Sequence, residues 1–255
     1  MRAVILTIGN EILKGNTVNT NMAHIGHVLT YAGYEVHRAI IVGDDPNEIA
    51  WGIKTSLEAG DLVVTTGGLG PTFDDMTVES ISTALDLKTE IHQGELSFLK
   101  ERYTGRSLEL TDGRLKMVRL PVGSRALHNP VGAAPGVYLK HDGKVIVILP
   151  GVPAEMKAIL DTILPELKTG SRRYAQETFP LDGIMESSLA PLIDKIMKKW
   201  NGKVYIKSHP KRSEIDNPSL NVEVSAWDEN GNMAEESVAS VVAEIKENYR
   251  KYIGK

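Results

Sequence analysis

The chain predicts an α/β protein: a mostly parallel sheet over residues 1–171, then a small β-α-β-β-α domain over 172–255. Two observations predict the first part. Apolar runs rich in branched residues alternate with helical patterns from the first residue, the signature of parallel strands joined by right-handed crossovers. Polar turns, most of them opening on glycine, follow those runs, where an open parallel sheet places its ligands. A third observation predicts the second part. After "KTGSRR" the alternation stops, and two strands follow each other without a helix between them.

The elements follow in order. "AVILTI" (3–8) is a continuous apolar run, as expected of a strand buried on both faces. Met22, Ile25, Leu29 and Ala32 recur at helical spacing, with Gly33 placed as a C-cap. "YEVHRAIIV" (34–42) is the second strand. Asp45 as N-cap and Pro46 at the first helical position open a helix that runs to Gly60. "LVVTT" (62–66) is the third strand. Residues 94–103 and 111–118 are helical by pattern, and "LPVGSRALHNPVGAAPGVYL" is turn-rich with a short hairpin. "KVIVILP" (144–150) is a further buried strand leading into a helix with Met156, Ile159, Leu160, Ile163, Leu164 and Leu167 on one side. Strand 173–181, helix 186–200, strands 203–209 and 219–227 and helix 233–253 complete the tail, whose strands are antiparallel or mixed.

The bulk numbers narrow the function. The net charge is −4 and the whole of it lies before residue 172, because the tail has 13 Lys and Arg against 13 Asp and Glu. Nothing advertises nucleic acid or a membrane as a partner. No cysteine is present, which excludes disulfides, cysteine-ligated zinc and a cysteine nucleophile. The opening residues turn polar too early for a signal peptide, and no apolar run approaches the roughly 20 residues of a membrane helix. The expectation is a cytoplasmic protein.

Three turns stand at strand ends: Gly9-Asn10-Glu11, Gly43-Asp44-Asp45 and Gly67-Gly68-Leu69-Gly70-Pro71-Thr72. In the third, glycine lets the backbone approach a ligand, and amide N–H groups leading into a helix suit phosphate or another anion. A merely tight turn with Asp75 as N-cap is the competing account. Asp74 and Asp75 repel a bare anion. They make sense either with a divalent cation between acid and phosphate, or facing the donors of a heterocycle. The loop is neither a P-loop nor the dinucleotide fingerprint, lacking Gly-Lys-Ser/Thr and a third glycine in place.

"TTGGLGPTFDDMT" (65–77) resembles the molybdopterin-binding motif of the MoaB/MogA fold, in the version of the CinA-like (competence/damage-inducible) family. "GNEILKGNTVNTN" (9–21), "VGDD" (42–45), "NPVGAAPG" (129–136) and "LPGVPAEM" (149–156) match further family elements in order. Asn10 stands where the family usually has Asp. The resemblance covers residues 1–170 and implies a three-layer α/β/α domain. It implies a phosphate-bearing nucleotide or pterin as ligand, and metal-dependent hydrolysis of the pyrophosphate in ADP-ribose or FAD. The alternative it leaves is a molybdopterin-binding protein in cofactor biosynthesis or handling. No room remains after residue 171 for the amidase domain of full-length relatives.

The implied ligand contacts are Gly9, Asn10, Lys14, Gly15, Asn21, Thr66, Gly67, Gly68, Gly70, Pro71, Thr72, Thr77, Asn129, Gly132, Pro150 and Gly151. Phosphoanhydride cleavage needs the phosphate charge neutralised and a water aimed. Glycine amides with Lys14 serve the first need. Asp44, Asp74, Asp75 and Glu11 serve the second, with Asp44, Asp74 and Asp75 as ligands for Mg²⁺, Mn²⁺ or Co²⁺. Thr17, Thr20 and Thr72 suit phosphate contacts and helix caps equally. His24 and His27 have the spacing of a metal pair, though ordinary half-exposed helix residues are the simpler account. His128 adjoins the Asn129 loop, and "HPKR" (209–212) is a basic cluster at a strand end, taken as a solvated loop. The tail is expected to serve as a lid or as a dimerisation module of a homo-oligomer.

Overall fold

The computed structural model describes residues 1–104, 109–169, 172–211, 218–229 and 233–253. It contains β1 (Arg2–Ile8), α1 (Asn10–Leu13), α2 (Thr20–Tyr31), β2 (Glu35–Val42), α3 (Pro46–Ala59), β3 (Leu62–Thr66) and α4 (Thr77–Ala84). Then come β4 (Thr89–Ile91), α5 (Gln93–Thr104), α6 (Asp112–Lys116), β5 (Arg119–Pro121), β6 (Arg125–Leu127), β7 (Gly136–His141), β8 (Lys144–Leu149) and α7 (Pro153–Leu167). The rest is β9 (Arg173–Asp182), α8 (Glu186–Trp200), β10 (Val204–Pro210), β11 (Ser219–Asp228) and α9 (Met233–Ile253). The chain forms two compact units. Met1–Thr30 and Tyr34–Lys168 make the first; Tyr31–Gly33 and the residues from Thr169 onward make the second. The boundary expected at residue 171 falls on residues 170–171, which lie outside those described.

The first unit holds a six-stranded sheet in the order β2-β1-β3-β8-β7-β6. β2, β1, β3 and β8 run parallel; β7 and β6 add an antiparallel edge. The inner parallel strands β1, β3 and β8 are largely apolar because both faces are covered, whereas the edge strand β2 carries Glu35, His37 and Arg38 and is mostly exposed. Successive strand side chains point to opposite faces. A Cβ added to Gly26 of α2 would sit 3.6 Å from Ile5 Cδ1, and one added to Gly52 of α3 would sit 2.9 Å from Leu6 Cδ1. Neighbouring residues of β1 thus meet helices on opposite faces, which is the three-layer arrangement. Val4, Ile5, Leu6, Leu62, Val63 and Val64 are at most 1% exposed, and each such side chain contributes about 1.5–3 kcal/mol on burial.

Register places the site. Ile8 pairs with Val42, Thr7 with Thr66, and Thr66 with Leu149. The carboxyl ends of β2, β1, β3 and β8 therefore finish level, and the turns after them emerge at one edge. β1 has β2 on one side and β3 on the other, so the strand order reverses there, the point where such sheets open a ligand crevice.

Two local expectations change. Asp45 does cap α3, accepting from Asn47 N–H at 2.9 Å and Glu48 N–H at 3.1 Å. Asp75 does not cap the helix after the glycine loop, because α4 begins only at Thr77. The segment after α4 also contains a two-stranded antiparallel sheet, β4 with β5, which three-residue strands leave no pattern to announce.

The second unit is an antiparallel sheet in the order β10-β11-β9. Its apolar residues, among them Phe179, Leu189, Ile193, Val222, Val224, Val241 and Ile245, form a separate core with α8 and α9. The unit's own helices thus cover its apolar face. In the basic cluster, His209 lies 3.5 Å from Glu223 and Lys211 N–H donates to Ser219, while Arg212 lies outside the described residues. Among the described residues no helix is long and apolar enough to cross a membrane.

Candidate ligand site of the first unit

A cavity of about 440 Å³ opens at the level strand ends. Four turns build it. Gly9 and Glu11 come from the end of β1, Asp44 from β2, residues 67–72 with Asp74 and Asp75 from β3, and Pro150, Gly151 and Val152 from β8. Tyr103, Met117, Ala133, Ala134 and Glu155 close the far side. A second cavity of about 90 Å³ adjoins it and shares Ile8, Glu11, Gly67 and Gly151. Hydroxyl and amide groups of Thr7, Thr17, Asn19, Thr20, Asn21 and Thr66 line that one.

The glycine loop is held tightly. Gly67 N–H donates to Leu149 of β8 at 3.0 Å, and the Gly67 carbonyl accepts from the Thr77 hydroxyl at 2.8 Å. Gly67 has φ +114°, and a Cβ there would meet the Ile8 carbonyl oxygen at 2.0 Å. Gly68 has φ +68°, and its Cβ would lie 2.3 Å from the Thr77 hydroxyl. Both positions therefore need glycine for conformation and for space. Beyond them, the N–H groups of Gly68, Leu69 and Gly70 donate to no protein acceptor among the described residues. Three consecutive residues with unspent amides thus line the cavity, an arrangement suited to an anion.

Asn21 locks the neighbouring ends together. Its amide donates to Thr66 Oγ1 at 2.9 Å and to the Gly151 carbonyl at 2.8 Å, while the Thr66 hydroxyl donates to Pro150 at 2.9 Å. Both amide hydrogens are spent, and the buried Asn21 Oδ1 has no partner.

The carboxylates occupy one cavity without converging on one point. Asp44 Oδ2 accepts from Asn10 N–H at 2.7 Å. Asp75 Oδ2 accepts from the Thr72 N–H at 2.9 Å and lies 2.5 Å from the Thr72 hydroxyl, which also contacts Asp74 Oδ1. That hydroxyl, then the backbone N–H of Asp74 and the charge of Lys116, hold the Asp74 carboxyl below its ordinary range. Lys116 Nζ caps the Thr72 carbonyl. These acids thus close the 72–75 turn on itself.

Comparison with known proteins follows from this geometry. The profile of the family described as "Probable molybdopterin binding domain" matches residues 4–169. The chain belongs to that family. A protein of Caldivirga maquilingensis is 51% identical over 255 residues, covering 100% of this chain and 96% of that protein. One of Thermoplasma volcanium is 45% identical over 244 residues, 96% of this chain and 94% of its own. A crystal structure described as CinA from Thermoplasma acidophilum superposes with a TM-score of 0.62 at 48% identity, covering 65% of this chain and 97% of that one. The chain is CinA-like, and the likeness to that structure agrees with the α/β fold built from a mostly parallel sheet.

Within this molybdopterin-binding-type domain, the structure sorts the expected residues. Gly9, Glu11, Asp44, Gly67, Gly68, Gly70, Pro71, Thr72, Asp74, Asp75, Pro150 and Gly151 line the main cavity, and Asn21 and Thr66 the adjoining one. Thr77 stands behind the loop as its support. Asn10, Lys14, Gly15, Asn129 and Gly132 line neither cavity. Lys14, expected to neutralise phosphate, ends α1, exposed, and among the described residues no Lys, Arg or His lines the main cavity.

The expected metal ligands Asp44, Asp74 and Asp75 share the main cavity but do not form a close cluster. No three His, Asp or Glu among the described residues gather closely enough to hold a metal ion. The reason is local: backbone N–H groups and the Thr72 hydroxyl already draw these oxygens in different directions. His24 and His27 have no third ligand either. Burial, with Lys157 adding, pushes the His24 imidazole below its ordinary value. His128 Nδ1 lies 3.4 Å from Glu95, its ring edge-on to Phe98, and it lines neither cavity.

Two cavity residues carried no sequence signal of their own. Tyr103 comes from the last turn of α5, with the Arg114 guanidinium 4.3 Å from its ring centroid. Glu155 comes from the first turn of α7 and accepts from Asn129 Nδ2 at 2.7 Å. "LPGVPAEM" contains Glu155, but only the fold turns it toward the other strand ends.

Proposed function

We propose that the first unit binds a phosphate-bearing pterin of the molybdopterin type, and that the protein handles this cofactor. One observation carries the reading: Gly68, Leu69 and Gly70, whose amides donate to no acceptor among the described residues, line a cavity at the carboxyl ends of parallel strands. They supply the anion contact, and no basic side chain among the described residues lines the cavity. The family description of residues 4–169 supports the pterin as the rest of the ligand. Ala133, Ala134, Met117 and Tyr103 offer its ring an apolar wall.

Pyrophosphate hydrolysis of ADP-ribose or FAD is the second reading. What favours it is the set of five acids lining the cavity: Glu11, Asp44, Asp74, Asp75 and Glu155. Their failure to form a metal cluster speaks against it, and no metal-dependent step is assigned. The separate core of residues 172–255 supports its role as an independent module, which we assign to self-association as a dimer.

The test is calorimetry of the full chain with 6-hydroxymethylpterin phosphate, ADP-ribose and FAD, with Mg²⁺, Mn²⁺, Co²⁺ or EDTA, while AMP release is monitored. The pterin phosphate binds equally with and without EDTA, and no AMP appears. Metal-dependent AMP release without pterin binding would replace this reading with the hydrolase.

A further inference from the structure

Five acids line the main cavity, and four are accounted for locally. Asp74 and Asp75 close a turn with Thr72, Asp44 holds Asn10 N–H, and the Glu11 carboxylate folds against its own Gly9. Glu155 differs. It closes no turn of its own, and its one hydrogen bond among the described residues comes from a buried side chain, Asn129 Nδ2 to Oε2.

That tether is built in. Asn129 is 1% exposed. Its amide also donates to Ala134 at 2.8 Å, and its Oδ1 accepts from Val131 N–H at 3.0 Å and Gly132 N–H at 2.7 Å. The loop it organises is gripped from α5, because Arg102 donates to the carbonyls of Val131 and Gly132. The loop backbone crosses close to the acid: a Cβ on Gly132 would lie 2.0 Å from Glu155 Oε2. Asn129, held in place by the loop it organises, thus fixes the carboxylate at the cavity wall, and Oε1 has no protein donor among the described residues.

A fixed carboxylate beside an apolar wall is completed by two parallel N–H donors, the geometry a carboxylate accepts most strongly. The 2-amino-4-oxo edge of a pterin carries such a pair, its ring N–H beside its exocyclic NH₂. Adenine has no such pair. We propose that Glu155 reads this donor–donor edge and is the residue that selects a pterin. The assignment rests on the pterin reading of the cavity. It adds to it the contact that sets specificity, with Asn129 as its positioning residue.

The experiment compares 6-hydroxymethylpterin phosphate with its lumazine counterpart, in which an oxo group replaces the 2-amino group, and with inorganic phosphate. Calorimetry is run on the full chain and on Glu155→Gln. Wild type prefers the pterin by about 10- to 100-fold, the worth of a charged hydrogen-bond pair. Glu155→Gln loses that preference and keeps its affinity for inorganic phosphate. The wild-type comparison needs no variant, so it stands even if Glu155→Gln folds poorly. Pterin binding with no preference over lumazine, or with the preference intact in Glu155→Gln, overturns this inference alone. If wild type binds neither pteridine, the cavity's pterin reading falls and this inference falls with it.

Discussion

The Thr77 hydroxyl donates to the Gly67 carbonyl at 2.8 Å, ten residues back across the glycine loop. It joins the first turn of α4 to the end of β3 and sets the curvature that leaves the next three amides unspent. Thr77 is fully buried. Replacing it by Val leaves that carbonyl without a donor, at a cost of about 1–3 kcal/mol. Denaturant unfolding of Thr77→Val should show that loss and Thr77→Ser should recover most of it. Equal stability of wild type and Thr77→Val would mean the loop holds its shape without this bond.

Gly67→Ala should be far more damaging than its size suggests. The new Cβ would meet the Ile8 carbonyl oxygen at 2.0 Å, and the residue would keep φ +114°. A backbone oxygen inside the sheet cannot move aside as a flexible side chain can, so the cost exceeds about 3 kcal/mol. Thermal unfolding checks this. A variant as stable as wild type would show that the turn can re-form in another conformation.

Asp74 gives a pH signature. Its folded-state value is depressed below the ordinary 3.8, first by the Thr72 hydroxyl. A depressed acid stabilises the fold above its unfolded value and loses that contribution as pH falls through the folded one. Thr72→Val removes the donor. Its stability gap to wild type should be full near neutrality, shrink below about pH 4 and vanish once Asp74 is protonated in both states. The group is exposed, so the gap is small. A gap that widens in acid would contradict the assigned bond.

Much of this was legible in the sequence, and the exceptions share a cause. β3 announced itself because both its faces are buried, and α3 because Asp45 and Pro46 form a start signal from local chemistry alone. The glycine loop was legible for the same reason: positive φ and close backbone approach leave a mark on composition. The roles of Asp74 and Asp75 were not legible. Sequence shows that two acids follow a turn but not that Thr72 folds back onto both. Glu155 and Tyr103 were hidden more deeply, because α7 and α5 carry them to the cavity only after the sheet has assembled. Lys14 shows the converse: it lies near a strand end in sequence, yet it does not line the cavity.

The second unit should be separable. It keeps its own core around Val222, Val224 and Val241, and among the described residues all those lining the two cavities belong to the first unit. A chain ending at Lys168 should retain pterin phosphate affinity within about twofold, while light scattering reports loss of dimer. Loss of affinity in a truncated chain with native circular dichroism would assign part of the site to residues 169–255.

The central claim is that the amides of Gly68, Leu69 and Gly70 hold the ligand's phosphate. The most direct measurement is amide NMR of the ¹⁵N-labelled protein titrated with 6-hydroxymethylpterin phosphate in the presence of EDTA. The account predicts that these three resonances move downfield together and saturate at one dissociation constant. Saturable binding that leaves all three in place would contradict it.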